Sequence, residues 1–219
     1  MKLRIAVAIA VSIVLTSLAA IGTAEEARSG KGSDNGASAT AATVQALKRG
    51  GFVLYMRHAS SDTSKPDRVP NVDFNDCATQ RPLSSAGRRQ AEQIGKAVRS
   101  LGIPIDEVRV SPYCRAKETA ELAFGSRFTV EPSLATTSNL TDAQKAPLLQ
   151  DLRRWLAEPV RAGTNRVLIS HNAPLMDAIG IYPRLEGGIL VFRPDGNGGF
   201  AYIATIAPTD WDRLAAGSR

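Results

Sequence analysis

The 219-residue chain contains two histidines, and both directly follow an apolar run of strand length. Phe52-Val53-Leu54-Tyr55-Met56 leads into Arg57-His58, and Val167-Leu168-Ile169-Ser170 leads into His171-Asn172. A third short run, Val108-Arg109-Val110, leads into Ser111 and, four residues later, Arg115. Imidazole changes protonation near neutral pH and serves as nucleophile, base or hydrogen-bond donor. Guanidinium offers a planar fork of N–H donors that matches phosphate and carboxylate oxygens. In open α/β sheets, ligands bind outside the carboxyl ends of the strands. Three such ends carrying two His and two Arg therefore describe a converging anion site. Singly, each residue has a plainer reading: a His after a strand is an ordinary hydrogen-bonding residue, and an Arg on a helix is solvated. Their joint placement is what points to chemistry.

The elements that must position these groups are legible nearby. Ser84 can cap a helix over 85–100, with Ala91, Ile94, Val98 and Leu101 on one face and Gly102 as its stop. Ser111-Pro112 has the form of a cap followed by a first-turn proline, which predicts a helix from there towards Gly125. Phe128-Thr129-Val130 reads as a short strand. Thr141-x-x-Gln144 forms a capping box and opens a helix through Leu148, Leu149, Leu152 and Leu156. Asn172 and Pro174 begin a short helix. Ile189 to Arg193 and Phe200 to Ile206 form a hairpin across Asp195-Gly196-Asn197-Gly198-Gly199. Strands alternating with helices predict an α/β protein whose mostly parallel central sheet is flanked by helices. The C-terminal β-hairpin adds antiparallel character at an edge.

The motifs resemble those of the histidine phosphatase, or phosphoglycerate-mutase-like, superfamily. Met56-Arg57-His58-Ala59 is similar to its Arg-His-Gly/Ala signature, and Pro82-Leu83-Ser84-x-x-Gly87-x-x-Gln90-Ala91 to the segment that follows. Ser111-Pro112-Tyr113-Cys114-Arg115-Ala116-x-Glu118-Thr119-Ala120 resembles the second motif, and Ile169-Ser170-His171-Asn172 the last. The resemblance runs in order from about 50 to 180. It implies a phosphoglycerate-mutase-like fold over a domain at 43–214 and a metal-independent phosphomonoester hydrolase with no cofactor. In that reading His58 is the nucleophile, Arg57 and Arg115 bind phosphate, and His171 completes the catalytic set. A phosphotransfer mutase, or a catalytically weak phosphate-binding module of the same fold, shares this core. The chain departs from the family at the proton donor. Leu134-Ala135-Thr136 stands where many members have Leu-x-Glu, and His171-Asn172 where another branch has His-Asp. Glu186, Asp73, Asp76 and Asp142 are the candidate replacements. If the loop before Pro82 and the segment bearing Arg115 line one pocket, Cys77 and Cys114 come within bridging distance, and a disulfide between them is expected.

Composition bounds the remaining possibilities. Hydrophobic residues at 43% and charged residues at 22% describe an ordinary globular domain. Lys2 and Arg4 precede an uncharged apolar run from Ile5 to Ile21 that closes on Gly22-Thr23-Ala24. This reads as a signal peptide at 1–24, followed by a Gly/Ser/Ala-rich flexible linker at 25–42. An uncleaved N-terminal anchor is the alternative, and only then would the protein meet the membrane. Export implies a periplasmic or secreted location, where a disulfide is stable. Without the leader, 25 basic residues face 21 acidic ones, a mild excess that suits a small phosphorylated substrate or an envelope phosphate group. No basic arm, zinc finger or aromatic RNA-binding strand is present, so nucleic acid is not an expected partner. Two His and two Cys without paired ligand spacing give no zinc motif, and no metal is expected. Cleavage after Ala24 predicts a mature chain beginning at Glu25. Mass spectrometry of the exported protein checks this, and an intact apolar run would establish the anchor instead.

Overall fold

A computed structural model describes residues 37–70 and 72–217. The leader at 1–24 and the linker as far as residue 36 lie outside the described residues. The strands are β1 (Val53–Arg57), β2 (Ile105–Val110), β3 (Thr129–Val130), β4 (Asn165–Ser170), β5 (Ile189–Pro194) and β6 (Phe200–Ile206). They form one six-stranded sheet in the order β3-β2-β4-β1-β5-β6. The first four in that order run parallel, and β5 and β6 form an antiparallel hairpin attached to β1. The mostly parallel sheet with an antiparallel C-terminal edge matches the fold expected from the sequence.

Alternation along the strands sorts the core into two layers. On one face, Leu54 and Met56 of β1 and Val167 and Ile169 of β4 pack with Ile94, Val98, Ala116 and Ala120. Those partners come from helices α2 (Ser85–Ser100) and α3 (Cys114–Phe124), with α1 (Ala41–Arg49) adding Val44 and Leu47. On the other face, Val53, Tyr55 and Leu168 meet Leu152 and Leu156 of α4 (Asp142–Ala157) and Leu175 of α5 (Asn172–Ile179). Burial on both faces explains why these strands read as unbroken apolar runs. A buried Asn165 pins the other end of the sheet. Its Nδ2 donates to Leu47 O (2.8 Å) and Pro104 O (2.9 Å), and its Oδ1 accepts from Phe52 N (3.2 Å).

Two expectations need correction. The segment 25–42 reads as linker because it lacks large apolar residues, but the fold reaches back into it. Ala39 is buried, Ser38 bridges to Thr205 beside β6, and Thr40 caps α1 with Thr43 in a reciprocal capping box. Small residues suffice there because the strand edge supplies backbone partners. The far boundary at 214 is also short, since α6 (Trp211–Ala216) packs Trp211 and Leu214 into the first core layer. The second correction concerns α3, which begins at Cys114 rather than at Pro112. Ser111 does not cap it. Its N–H continues the ladder to Ile169 O (2.9 Å), and the Gln80 side chain accepts from Cys114 N (2.7 Å) in its place.

Helices α2 and α3 approach closely at Gly95, where an added Cβ would lie 2.2 Å from the Ala123 carbonyl oxygen. Alanine in a helix interior normally stabilises by about 1 kcal/mol over glycine. Here the steric conflict is with backbone and cannot be relieved by a rotamer change. Gly95→Ala is expected to destabilise the domain by about 1–3 kcal/mol, read as a lower urea midpoint. A raised midpoint would show that the helices can part at little cost.

Candidate active site

Strand register brings the two histidines together. Arg57 of β1 pairs with Ser170 of β4, so the following residues leave adjacent strands at the same level. His58 N donates to Ser170 O (3.0 Å), and the two imidazole centroids lie 5.2 Å apart. Strand β2 flanks β4 on its other side and delivers Ser111, whose Oγ is 2.8 Å from His171 Nε2. Tyr55 is buried beneath them and donates its hydroxyl to His171 O (2.7 Å). Both histidines are almost fully buried.

Arg115, on the first turn of α3 and only 2% exposed, joins these groups. Its Nε donates to His58 Nε2 (3.2 Å), and its Nη2 lies 3.3 Å from His171 Nδ1. Guanidinium nitrogens only donate, so both imidazole nitrogens facing Arg115 present lone pairs. The protons must then sit on the opposite nitrogens. His58 Nδ1–H is aimed at Ala59 O (2.8 Å), and His171 Nε2–H at Ser111 Oγ. The arrangement defines neutral imidazoles and turns the His58 Nε2 lone pair towards Arg115. Burial lowers the pKa of both histidines well below the ordinary value, and the nearby Arg115 charge lowers it further.

A loop at 62–81 closes over this centre. Cys77 and Cys114 form a disulfide with Cα atoms 5.7 Å apart, fastening the loop to the start of α3. Phe74 meets the Tyr113 ring edge-on at 5.2 Å, and Tyr113 in turn meets His171 at 4.9 Å. Asp67 completes the coordination of Arg115, with its Oδ1 2.9 Å from Nη1 and also accepting from Arg81 N (2.8 Å). The charge of Arg81 is felt by both histidines. Its buried Nε finds no hydrogen-bond partner among the described residues.

The structure places the other sequence candidates as follows. Arg57 donates from Nη1 to Arg184 O (2.6 Å) and Pro183 O (3.3 Å) and from Nη2 to Glu186 Oε1 (3.3 Å). Its Nε is buried and unpartnered among the described residues. Glu186 also accepts from Ser61 N (3.1 Å) and Ser61 Oγ (2.8 Å), so its oxygens are occupied in holding Arg57 and the start of the loop. Asp73 and Asp76 close local turns through Asn75 N and Ala78 N, and Asp142 lies exposed at the start of α4. Thr136 is bonded to Ser138. Asp67, Arg81, Gln80 and Ser111 in its role beside His171 were not foreseen. The first three sit in a polar loop without periodicity, and long-range ties to α3 (the disulfide, the Gln80 cap and the Asp67–Arg115 pair) bring that loop over the site. A cleft of about 550 Å³ opens beside Arg57, lined in part by Ser60, Thr63, Arg81, Gln90 and Arg184. Among the described residues, no helix is long and apolar enough to cross a membrane, and no three His, Cys, Asp or Glu side chains form a metal-sized cluster.

A mostly parallel α/β sheet with two histidines and a buried guanidinium group at its carboxyl end has the architecture of a phosphoglycerate-mutase-like fold. Residues 53–141 match the model of the histidine phosphatase superfamily (branch 1). The fold of the chain is similar to that of the protein histidine phosphatase SixA complexed with tungstate (TM-score 0.54, 19% identity, 73% of this chain and 98% of that one). It is also similar to a putative α-ribazole-5′-P phosphatase from Escherichia coli K-12 (0.52, 14%, 72% and 97%). The α-ribazole phosphatase from Shigella flexneri gives a comparable likeness (0.51, 14%, 72% and 96%). At these identities the likeness establishes the fold. No curated protein sequence matches significantly.

The depressed histidine pKa values have a consequence for stability. An unfolded histidine takes up a proton near pH 6.5, whereas His58 and His171 in the folded chain do so only at lower pH. Below about pH 6.5 the unfolded state therefore binds more protons, and stability falls as pH falls towards the folded pKa values. Each such histidine contributes a slope of up to about 1.4 kcal/mol per pH unit in that window. Denaturant midpoints measured from pH 7.5 to 5 should decrease, and NMR should show both imidazoles still neutral at pH 6.5. Histidine shifts that titrate normally would contradict the neutral pair.

Proposed function

We propose that the protein is a phosphomonoester hydrolase acting through a phosphohistidine at His58, without a metal ion, outside the cytoplasm. The observation that carries the reading is the contact of Arg115 with both imidazoles, which leaves the His58 Nε2 lone pair beside a buried cation. A neutral imidazole attacks phosphorus and departs again, dividing one difficult displacement into two easier ones. The transferring phosphoryl group keeps its charge on three oxygens, so fixed cations stabilise it more than covalent assistance does. Arg115 and Arg57 supply such charge, and the buried, unpartnered Nε atoms of Arg57 and Arg81 are donors that phosphate oxygens would satisfy. His171 is the further donor. Its Nδ1 must gain a proton to serve, and a bound phosphate dianion favours that charged form.

The substrate is a small phosphorylated molecule or an exposed phosphate group of the cell envelope. The cleft beside Arg57 is lined by three arginines, Arg57, Arg81 and Arg184, which suits an anionic ligand. Export is supported by the basic start, the apolar run from Ile5 to Ile21 and the small residues that close it.

Rapid denaturation during turnover of a radiolabelled aryl phosphate is expected to trap label on one imidazole, acid-labile and alkali-stable. His58→Ala should lose both label and turnover. His171→Ala should lose most turnover, since its hydrogen bond matters chiefly in the transition state. The same assay in EDTA should be unchanged, because arginines supply the cationic environment. An alkali-labile adduct, or chelator-sensitive activity restored by a divalent ion, would end this reading.

A further inference from the structure

Expelling an alkyl alcohol from phosphorus leaves an alkoxide, which needs a proton as the P–O bond breaks. We propose that Asp67 supplies that proton and so equips the site for alkyl phosphomonoesters as well as for phosphates with good leaving groups. The inference rests on the phosphohistidine reading above.

Position is the first argument. Arg115 faces His58 and His171 with Nε and Nη2, and Asp67 Oδ1 sits 2.9 Å from Nη1 of the same planar group. A phosphoryl group on His58 Nε2 and the Asp67 carboxyl group would therefore share one guanidinium group, that of Arg115. Glu186, Asp73 and Asp76 are occupied elsewhere. Charge is the second argument. A carboxylate bonded to the central anion-binding arginine opposes an incoming phosphate dianion, whereas a neutral carboxyl group at the same place does not. The Asp67 side chain is 18% exposed, which gives that proton a route from solvent. Rigidity is the third. Asp67 accepts from Arg81 N (2.8 Å), Arg68 N donates to Thr79 O (2.9 Å), and the 77–114 disulfide ties the loop to the helix bearing Arg115.

The steps balance. His58 Nε2 forms the P–N bond as the P–O bond to the alcohol breaks, and the departing oxygen takes the Asp67 carboxyl proton. Water then attacks phosphorus, its proton passes to the Asp67 carboxylate, and the P–N bond breaks to release phosphate and neutral His58. General acid assistance of this kind is worth about 10²–10⁴-fold, and most where the leaving group is poor.

The test compares kcat/KM of the wild type and Asp67→Asn on 4-nitrophenyl phosphate and glycerol 2-phosphate, with phosphohistidine trapped in parallel. Asp67→Asn is expected to lose about 10²–10³-fold on glycerol 2-phosphate and at least about tenfold less than that on the nitrophenyl ester, whose leaving group needs no proton. Phosphohistidine should accumulate during turnover of the latter, because the base for the second step is missing. Equal losses on both substrates would show that Asp67 acts only by positioning Arg115, and no loss on either would remove it from the reaction. If Asp67→Asn does not fold, the wild type decides. Across a series of alcohols, kcat/KM should vary little with leaving-group pKa if departure is protonated, and a steep decline overturns the assignment. A wild type that forms no phosphohistidine would sink the preceding reading and this one with it, a result distinct from a labelled enzyme lacking the leaving-group effect.

Discussion

Arg115 is a buried cation, and the site is organised around satisfying it. A buried charge is tolerated only when its donors find acceptors, and removing one partner of such a pair typically costs about 3–5 kcal/mol. Here the acceptors are His58 Nε2, His171 Nδ1 and Asp67 Oδ1. Because guanidinium cannot accept, both imidazoles are held in defined tautomers with lone pairs turned inward. The outer sides of the rings are then fixed by Ala59 O and Ser111 Oγ. One charged side chain thereby sets the protonation and orientation of both histidines.

The sheet makes that contact possible. β4 lies between β1 and β2, and parallel pairing aligns the carboxyl ends of all three. His58, His171 and Ser111 come from distant parts of the chain, yet each follows a strand whose end is fixed by ladder hydrogen bonds. Burial of both sheet faces holds this register, because a one-residue slip would exchange the side chains of the two layers. Gly95 and Gly87 bring helix α2 against α3 and against the Ser60 carbonyl, drawing the helical layer close to the site.

The loop at 62–81 depends on a different kind of restraint. It has little regular structure, and its order comes from local turns, the Gln80 cap on α3 and the disulfide. Closing a loop of 37 residues contributes about 4 kcal/mol in the chain-entropy model. Through these ties the helix that carries Arg115 and the loop that carries Asp67 and Arg81 form one unit. Glu186 does similar work on the opposite side, binding Arg57 to Ser61.

By itself the sequence determined the parts governed by short-range periodicity: the apolar strands, the amphipathic helix at 85–100, the capping box at Thr141 and the hairpin around Asp195 to Gly199. It also placed Arg57, His58, Arg115 and His171, because each ends or follows a strand or opens a helix within a recognisable motif. Tertiary structure alone decided what lies between these elements. Whether Ser111 caps a helix or binds His171 depends on β2 being next to β4 and on Gln80 arriving from another segment. Ala39 and Ser38 read as linker because their small side chains show no pattern, and only the edge of β6 gives them partners. Asp67 and Glu186 are equally plain carboxylates in the sequence. One touches Arg115 and the other Arg57 because a disulfide-stapled loop and a turn after α5 fold back over the sheet. Contacts of that range leave no periodic trace in the chain.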